Sequence, residues 1–216
     1  MRFSGVQLIL LVLFLSLFLA SPAFATSVNM QYLGATPSGI GGGGVYPYSV
    51  SINGGTPSSL LCDSYDNTMQ KGETWSATAM PFLQGISSSL FGPSMTMDYK
   101  AAGLIFESIL ANTITATDGN WAIWGLFSST ARSQPQFTTT GAAAIDAAYL
   151  LTASTAKNSA FNGLVLYTPI SGSQSVGGMP QEFIGFSPVP EPSSLMLIGT
   201  GLIGLAGAIR RKLPRA

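Results

Sequence analysis

The segment YPYSVSINGGTPSSLLCDSY, residues 46–65, decides the fold prediction for this chain. Residues 46–52 and 59–65 are short stretches of β-forming composition, and Asn53-Gly54-Gly55 lies between them. Asn-Gly is a strong turn signal because both residues accept a positive φ. The segment therefore predicts a β-hairpin.

Further strands and three helices are predicted around this hairpin. Residues 73–80 alternate apolar and polar side chains, and residues 164–167 and 182–186 are strand-like again. Between them, apolar residues recur at helical spacing in three groups: Ala102, Ile105, Phe106, Ile109 and Leu110; Trp121, Trp124 and Phe127; Ile145, Ala148, Tyr149 and Thr152. The predicted N-caps are Asp98, Asp118, and Thr139 or Thr140. Strands, three central helices and C-terminal strands predict an extracellular α+β domain over residues 45–186.

Composition excludes several classes of function. Of the 216 residues, 8% are charged and 46% are hydrophobic, which is unlike a highly charged disordered chain. Residues 26–190 hold four basic and eight acidic residues, a net charge near −4, so we expect no nucleic-acid partner. Histidine is absent, which excludes Ser-His-Asp catalysis and imidazole metal sites. We expect no cofactor and no metal.

The N-terminus has the pattern of a secretory signal peptide over residues 1–25. A basic residue precedes an apolar run at 8–20, and Ala23 and Ala25 form a small-x-small cleavage signature. This predicts cleavage after Ala25 by signal peptidase and export by the general secretion machinery. Residues 26–44 then form a glycine-rich mature N-terminal segment.

The C-terminus predicts a membrane anchor. Residues 193–209 are uncharged and would reach roughly 25 Å as a helix, just short of the ~30 Å hydrocarbon core. They are interpreted as a transmembrane helix, followed by a basic cytoplasmic tip at 210–216. The stop-transfer residues are Arg210, Arg211, Lys212 and Arg215.

A proline-rich stalk at residues 187–192 precedes this segment and contains Val189, Pro190, Glu191 and Pro192. Prolines at alternate positions hold it extended beside one carboxylate. Together with the apolar run and the basic tip, it resembles the PEP-CTERM sorting signal of exported proteins in Gram-negative bacteria. The resemblance implies recognition by an exosortase, tail removal after transient anchoring across the inner membrane, and transfer to the cell surface or an exopolysaccharide matrix. The alternative is an ordinary single-pass anchor.

Cys62 is the single cysteine, so it has no intramolecular disulfide partner. It is interpreted as a buried inert thiol, with an intermolecular disulfide or another covalent bond as alternatives. Cys62, a helical middle and Asn120-Trp121-Ala122-Ile123-Trp124 are similar to the Cys-Gln thioester domains of bacterial surface adhesins. That similarity implies covalent attachment through Cys62 and Asn120, although Asn120 stands where the family has glutamine.

Other candidate sites have weaker patterns. Asp63, Asp66 and Asn67 resemble a calcium site but are better interpreted as solvated turn residues. Glu73 with Asp98 or Glu107 would suit a carbohydrate-active hydrolase, although no spacing selects them. Aromatic residues at helical spacing are more typical of a core than of a sugar-stacking platform; these are Trp75, Trp121, Trp124 and Tyr149.

The sequence as a whole predicts an exported surface or exopolysaccharide-matrix protein with a structural or adhesive role, and not an enzyme. A thioester-type covalent adhesin and a secreted hydrolase are the alternatives.

Overall fold

The computed structural model describes residues 25–37, 44–176 and 178–186. The chain divides into two units, 1–186 and 187–216, and all described residues belong to the first. Six strands are present in the described part: β1 Thr26–Pro37, β2 Gly44–Ile52, β3 Ser58–Cys62, β4 Thr74–Pro81, β5 Leu164–Pro169 and β6 Phe183–Phe186.

The six strands form a closed barrel in the order β1-β2-β3-β6-β5-β4, with β4 pairing back to β1. Every pairing is antiparallel. The predicted α+β fold class is therefore wrong, because the N-terminal and C-terminal strands belong to one barrel. Closure removes the exposed strand edges that an open sheet would leave.

Strand β1 closes the barrel, although the sequence pattern predicts no strand there. Its residue Met30 pairs with Ile52 on β2 and with Trp75 on β4. Val28 and Met30 are buried while their neighbours are exposed, which is the alternation of a strand with one face on the core. This alternation covers only a few residues and is followed by a glycine-rich stretch, so the strand was not recognisable from the sequence.

The predicted hairpin is present. Strands β2 and β3 pair with Tyr48 opposite Leu60 and Val50 opposite Ser58. Asn53 and Gly54 have φ values of 52° and 71°, which are the left-handed conformations expected of an Asn-Gly turn. The strand predicted at residues 73–80 is also present as β4.

All described helices lie between β4 and β5. The α-helices are α1 Phe82–Gly85, α2 Thr96–Leu110, α3 Ala116–Phe127, α4 Ser129–Arg132, α5 Pro135–Thr139 and α6 Ala142–Thr155. Short 3-10 turns occur at Ile86–Ser88, Pro93–Met95 and Asn158–Phe161. The three long helices α2, α3 and α6 pack on one another, and α3 also contacts β2. The helices are thus one layer on the outside of the barrel.

The helix starts differ from the predicted caps. Asp118 lies in the first turn of α3, and the actual cap is Thr115, whose hydroxyl accepts the Asp118 N–H at 3.1 Å. Asp98 likewise lies in the first turn of α2. Helix α6 follows Gly141, which has a φ of 73° and no side chain with which to cap. Aspartate is favourable both at the N-cap and in the first turn of a helix, so the sequence alone does not separate these two positions for Asp98 and Asp118.

The apolar core continues from the barrel into the helical layer. Inside the barrel, Trp75 stacks on Phe183 at 6.1 Å and Tyr48 meets the same ring edge-on at 5.6 Å. Outside it, Phe186 at the end of β6 lies 5.9 Å from Phe106 on α2. Strand β6 is therefore packed on both sides, which explains why its residues are consecutively apolar.

The prediction of a C-terminal transmembrane helix has no counterpart in the described part of the chain. None of the helices in residues 25–37, 44–176 and 178–186 is long and apolar enough to cross a membrane. The predicted signal peptide up to residue 24, with Ala23, lies outside the described residues, as do the stalk, residues 193–209 and the basic tip.

Candidate functional site

Cys62 is the last residue of β3 and is fully buried. Its thiol donates a long hydrogen bond to the Ser64 carbonyl oxygen, with Sγ and O 3.8 Å apart. Burial, and then the neighbouring Asp63 carboxyl group, raises the pKa of the Cys62 thiol to about 12. The thiol is therefore protonated at neutral pH, as expected of an inert core cysteine.

Asn120 lies directly beside Cys62, on α3, and is also fully buried. Its Nδ2 donates to the Cys62 carbonyl oxygen at 3.1 Å, and its Oδ1 accepts the Tyr46 N–H at 2.8 Å. The side-chain amide therefore ties α3 to β2 and β3 through backbone groups. It is the type of bond that satisfies polar groups which strand pairing leaves open.

This geometry gives no support to the thioester interpretation. The structure does bring the two predicted residues together, but Asn120 engages the backbone of Cys62 and not its sulfur. Both amide atoms are occupied, and the thiol lacks the depressed pKa of a reactive cysteine. The similarity to thioester adhesins is corrected accordingly.

A second buried cluster joins the start of β6 to the residues after β3. Glu182 is fully buried, and its carboxylate accepts hydrogen bonds from three groups: the Leu90 N–H at 2.9 Å, the Thr168 hydroxyl at 2.5 Å and the Tyr99 hydroxyl. The Glu182 backbone N–H donates to the Ser64 hydroxyl at 2.8 Å. These bonds fasten β6 to the helical layer and to the β3–β4 loop.

Asp63 is the carboxyl partner of Glu182 in this cluster and is fully buried too. Neither Asp63 carboxyl oxygen has a hydrogen-bond partner of ordinary geometry among the described residues; burial and the Glu182 carboxyl raise the pKa of Asp63, while the Ser64 hydroxyl and the Asp63 backbone N–H lower it. Two carboxyl groups form a hydrogen bond only if one carries a proton. Burial, and then the charge of Glu182, raises the pKa of Asp63 well above its ordinary value, so Asp63 carries the proton.

The predicted turn, hydrolase and stacking residues lie apart. Asp63 is not a solvated turn residue, and Asp66 is exposed three residues away from it. Glu73 is buried and accepts the Gln70 N–H at 2.9 Å, which holds a turn before β4.

The three tryptophans are at most 4% exposed, so the core interpretation was the better one for Trp75, Trp121 and Trp124. Tyr149 donates to the Ser108 hydroxyl at 2.7 Å, within the helical layer.

An open pocket lies at the end of the barrel where β3 finishes and β6 begins. Its cavity volume is about 590 Å³, and we call it the rim pocket. Aromatic side chains line it on two sides: Tyr32 and Tyr48 from the barrel, and Tyr65 and Trp124 from the β3–β4 loop and α3. Its polar lining consists of Asp66, Asn67, Thr68 and Gln181.

Two reciprocal hydrogen bonds shape the polar side of the rim pocket. Asn67 Nδ2 donates to the Pro180 carbonyl oxygen at 3.1 Å, and Gln181 Nε2 donates to the Asn67 carbonyl oxygen at 2.7 Å. They join the β3–β4 loop to the β5–β6 loop. Neither Tyr65 nor Gln181 stands out in the sequence as a site residue, because the loops that bring them together are more than a hundred residues apart.

The predicted sorting residues Val189, Pro190, Glu191 and Pro192 lie outside the described residues, and so do the stop-transfer residues. Their assignment comes from comparison with known proteins. Residues 188–212 match the family model of the PEP-CTERM protein-sorting motif. No curated protein and no solved structure matches the chain. The sorting motif at residues 188–212 indicates that the chain is an exported protein, which an exosortase sorts to the surface or the extracellular space.

Proposed function

We propose that the chain is a structural or adhesive component of the cell surface or of an exopolysaccharide matrix. The observation that carries this proposal is the PEP-CTERM motif at residues 188–212, which lies just after the last strand of the barrel. The chain is then the substrate of the sorting enzyme and not itself an enzyme. Signal peptidase, the secretion machinery and an exopolysaccharide are its other proposed partners.

The properties of the barrel are consistent with a passive component. Its strand edges are paired by closure, and the buried side chains of Asn120 and Glu182 make hydrogen bonds that join helices to strands. The described carboxyl pair, Asp63 and Glu182, is fully buried, so a substrate does not reach it in this conformation. A stable, closed body is what a surface component needs.

The finer steps of sorting also belong to this proposal. The uncharged run at residues 193–209 and the following basic residues support a transient stage at the membrane before the tail is removed. Glu191 is a recognition residue in this scheme. It is the single carboxylate of the motif, held among prolines that leave little conformational entropy to lose on binding.

The test is to express Glu191→Ala in a host that encodes an exosortase and to follow tail removal by intact mass of the exported chain. We expect the variant to keep its tail and to be depleted from the surface fraction. Glu107→Ala, which removes a carboxylate of the body on α2, is the matched control and should be processed normally. Normal processing of Glu191→Ala would overturn the recognition role.

The structural role is tested separately. Deletion of the gene should weaken matrix cohesion, and the processed chain should restore it without any change in polysaccharide chain length. Release of new reducing ends from polysaccharide by the purified chain would contradict a passive role and favour the hydrolase alternative.

A further inference from the structure

The rim pocket has two half-buried tyrosine rings, each backed by a buried aromatic ring. Tyr65 packs at 5.2 Å from Trp124, and Tyr32 packs at 6.1 Å from Tyr48. Trp124 and Tyr48 are only 3% and 4% exposed, so they are fixed in the core. The two tyrosine faces are therefore held in place before any ligand arrives, and stacking on them costs little ordering entropy.

An unpartnered hydrogen-bond acceptor completes the pocket. The Gln181 side chain is only 9% exposed, and the bond from its Nε2 to the Asn67 carbonyl oxygen fixes which way the amide points. Its Oε1 atom has no hydrogen-bond partner among the described residues. A buried acceptor without a donor is unfavourable. Gln181 lines the rim pocket, so a small shift of its side chain offers Oε1 to a hydroxyl brought in by a ligand.

Charge narrows the class of ligand. Asp66 is the single charged residue among those that line the rim pocket, and it is exposed. No basic side chain lines the pocket to neutralise an anion. A carboxylate or phosphate ligand would therefore be repelled, whereas a neutral hydroxyl can donate to the Asp66 carboxylate.

We infer that the rim pocket binds a neutral sugar ring, as one unit of a polysaccharide chain. The C–H groups of such a ring carry partial positive charge and pack on the negative faces of Tyr32 and Tyr65. Its hydroxyl groups donate to Gln181 Oε1 and to Asp66. The cavity of about 590 Å³ lies within the usual ~300–1,000 Å³ of ligand sites and is open to solvent, as a polymer chain requires.

A quaternary ammonium group is the competing ligand, because aromatic faces and a carboxylate also recognise cations. It offers no hydrogen-bond donor to Gln181 Oε1, and it is small for this volume. This inference deepens the proposed function and rests on it only for the presence of polysaccharide around the exported chain.

Affinity electrophoresis tests the inference with the exported chain, purified in a detergent that has no sugar headgroup. The gels contain dextran, laminarin, mannan or galactan as neutral polymers, and alginate as an anionic one. We expect retardation by at least one neutral polymer and at least tenfold weaker binding to alginate. Tyr65→Leu, which keeps apolar contact with Trp124, and Asp66→Ala should each weaken the retardation about tenfold. Tyr149→Phe, in the helical layer, is the matched control and should bind as the unmodified chain does.

Each outcome decides the inference. Failure of all four neutral polymers to retard the chain would overturn it, as would retardation that Tyr65→Leu and Asp66→Ala both leave unchanged. Quenching of tryptophan fluorescence by choline chloride, without any effect of the polymers, would assign the pocket to a cation instead. Sorting is scored separately by tail removal, so a chain that is processed normally but binds no sugar overturns this inference and leaves the sorting proposal intact.

Discussion

The side-chain amide of Asn120 donates to the carbonyl oxygen of Cys62 at 3.1 Å, so the two residues are joined through backbone and not through sulfur. The same amide accepts the Tyr46 N–H at 2.8 Å. One helix residue thus replaces two pairing bonds at the end of two strands. Asn120 is a fastener between the helical layer and the barrel.

Replacing Asn120 with alanine should destabilise the body strongly. It leaves the buried Cys62 carbonyl oxygen and the part-buried Tyr46 N–H without partners, and a fully buried group left so costs about 1 to 3 kcal/mol. We expect the free energy of unfolding in urea to fall by about 2 to 4 kcal/mol. Asn158→Ala, at an exposed asparagine, should change it by less than about 0.5 kcal/mol. Equal stability of the two variants would refute the fastening role.

Cys62 should remain an unmodified thiol after export. Its burial and raised pKa leave almost no thiolate to react. Intact mass of the exported chain should show no loss of ammonia, and a thiol reagent should label Cys62 only after unfolding. Labelling of the folded chain at the rate of free cysteine would contradict the inert assignment.

The Asp63–Glu182 pair should make the body more stable in mild acid than at neutral pH. The pKa of Asp63 is raised well above its ordinary 3.8, so the folded chain keeps a proton that the unfolded chain loses. Its stabilising contribution is therefore complete below about pH 4 and declines as pH rises toward the folded pKa, by at most about 1.4 kcal/mol per pH unit for one proton. Urea unfolding between pH 4 and 8 measures this slope.

Two variants separate the roles of the pair. Asp63→Asn needs no proton, so it should reduce the pH dependence; the contribution of Asp146, whose pKa burial raises to about 7, should remain. Glu182→Gln disturbs a group that accepts bonds from Leu90, Thr168 and Tyr99, so it should lower stability at every pH. A slope as steep in Asp63→Asn as in the unmodified chain would contradict the assignment of the proton to Asp63.

Arg132→Ala should destabilise the body more at pH 8 than at pH 5. Arg132 Nη2 lies 3.6 Å from Asp146 Oδ2, and the arginine charge lowers the Asp146 pKa against the effect of burial. Without it the pKa rises further, and ionised Asp146 at pH 8 is left buried without a cation. Arg132→Lys retains the charge and should recover part of the loss. An equal loss at both pH values would show that the Arg132 bond to the Gly125 carbonyl oxygen matters more than its charge.

Gly125→Ala should be destabilising although alanine favours helices. A methyl group at Gly125 on α3 would overlap the Phe137 ring of α5. Such overpacking costs about 1 to 3 kcal/mol, against a gain of up to about 1 kcal/mol in helix propensity. In a Phe137→Leu background the same substitution should become neutral or stabilising. Thermal unfolding of the four chains gives the coupling, and simple additivity would contradict the close approach.

Local elements were predictable from sequence where the local pattern is strong. Asn53-Gly54 fixed the hairpin, and the apolar spacing around Ile105 and Trp124 indicated two of the long helices. Barrel closure was not predictable in the same way, because the pairing of Met30 with Trp75 joins residues 45 positions apart and leaves no local trace. A glycine-rich stretch after β1 also weakened its strand signal.

Burial of charge was the other feature that sequence concealed. Asp63 and Glu182 were interpreted as part of a solvated turn and a strand start, since carboxylates are usually exposed. Their burial depends on hydrogen bonds of Glu182 with four groups from separate segments, and no local spacing in the sequence predicts this set. The partners are Ser64, Leu90, Tyr99 and Thr168. The Cys62–Asn120 proximity, in contrast, was expected from a resemblance whose chemistry the structure does not support.

The last strand of the barrel, β6, ends at Phe186, two residues before the sorting motif starts at 188. β6 is the seam between β3 and β5, so the cylinder stays open until almost the whole body has been synthesised and has emerged. When the chain is exported from its N-terminus, strand β6 and the sorting motif emerge one directly after the other. The strand that completes the cylinder is therefore exported almost together with the motif that directs the chain to its destination.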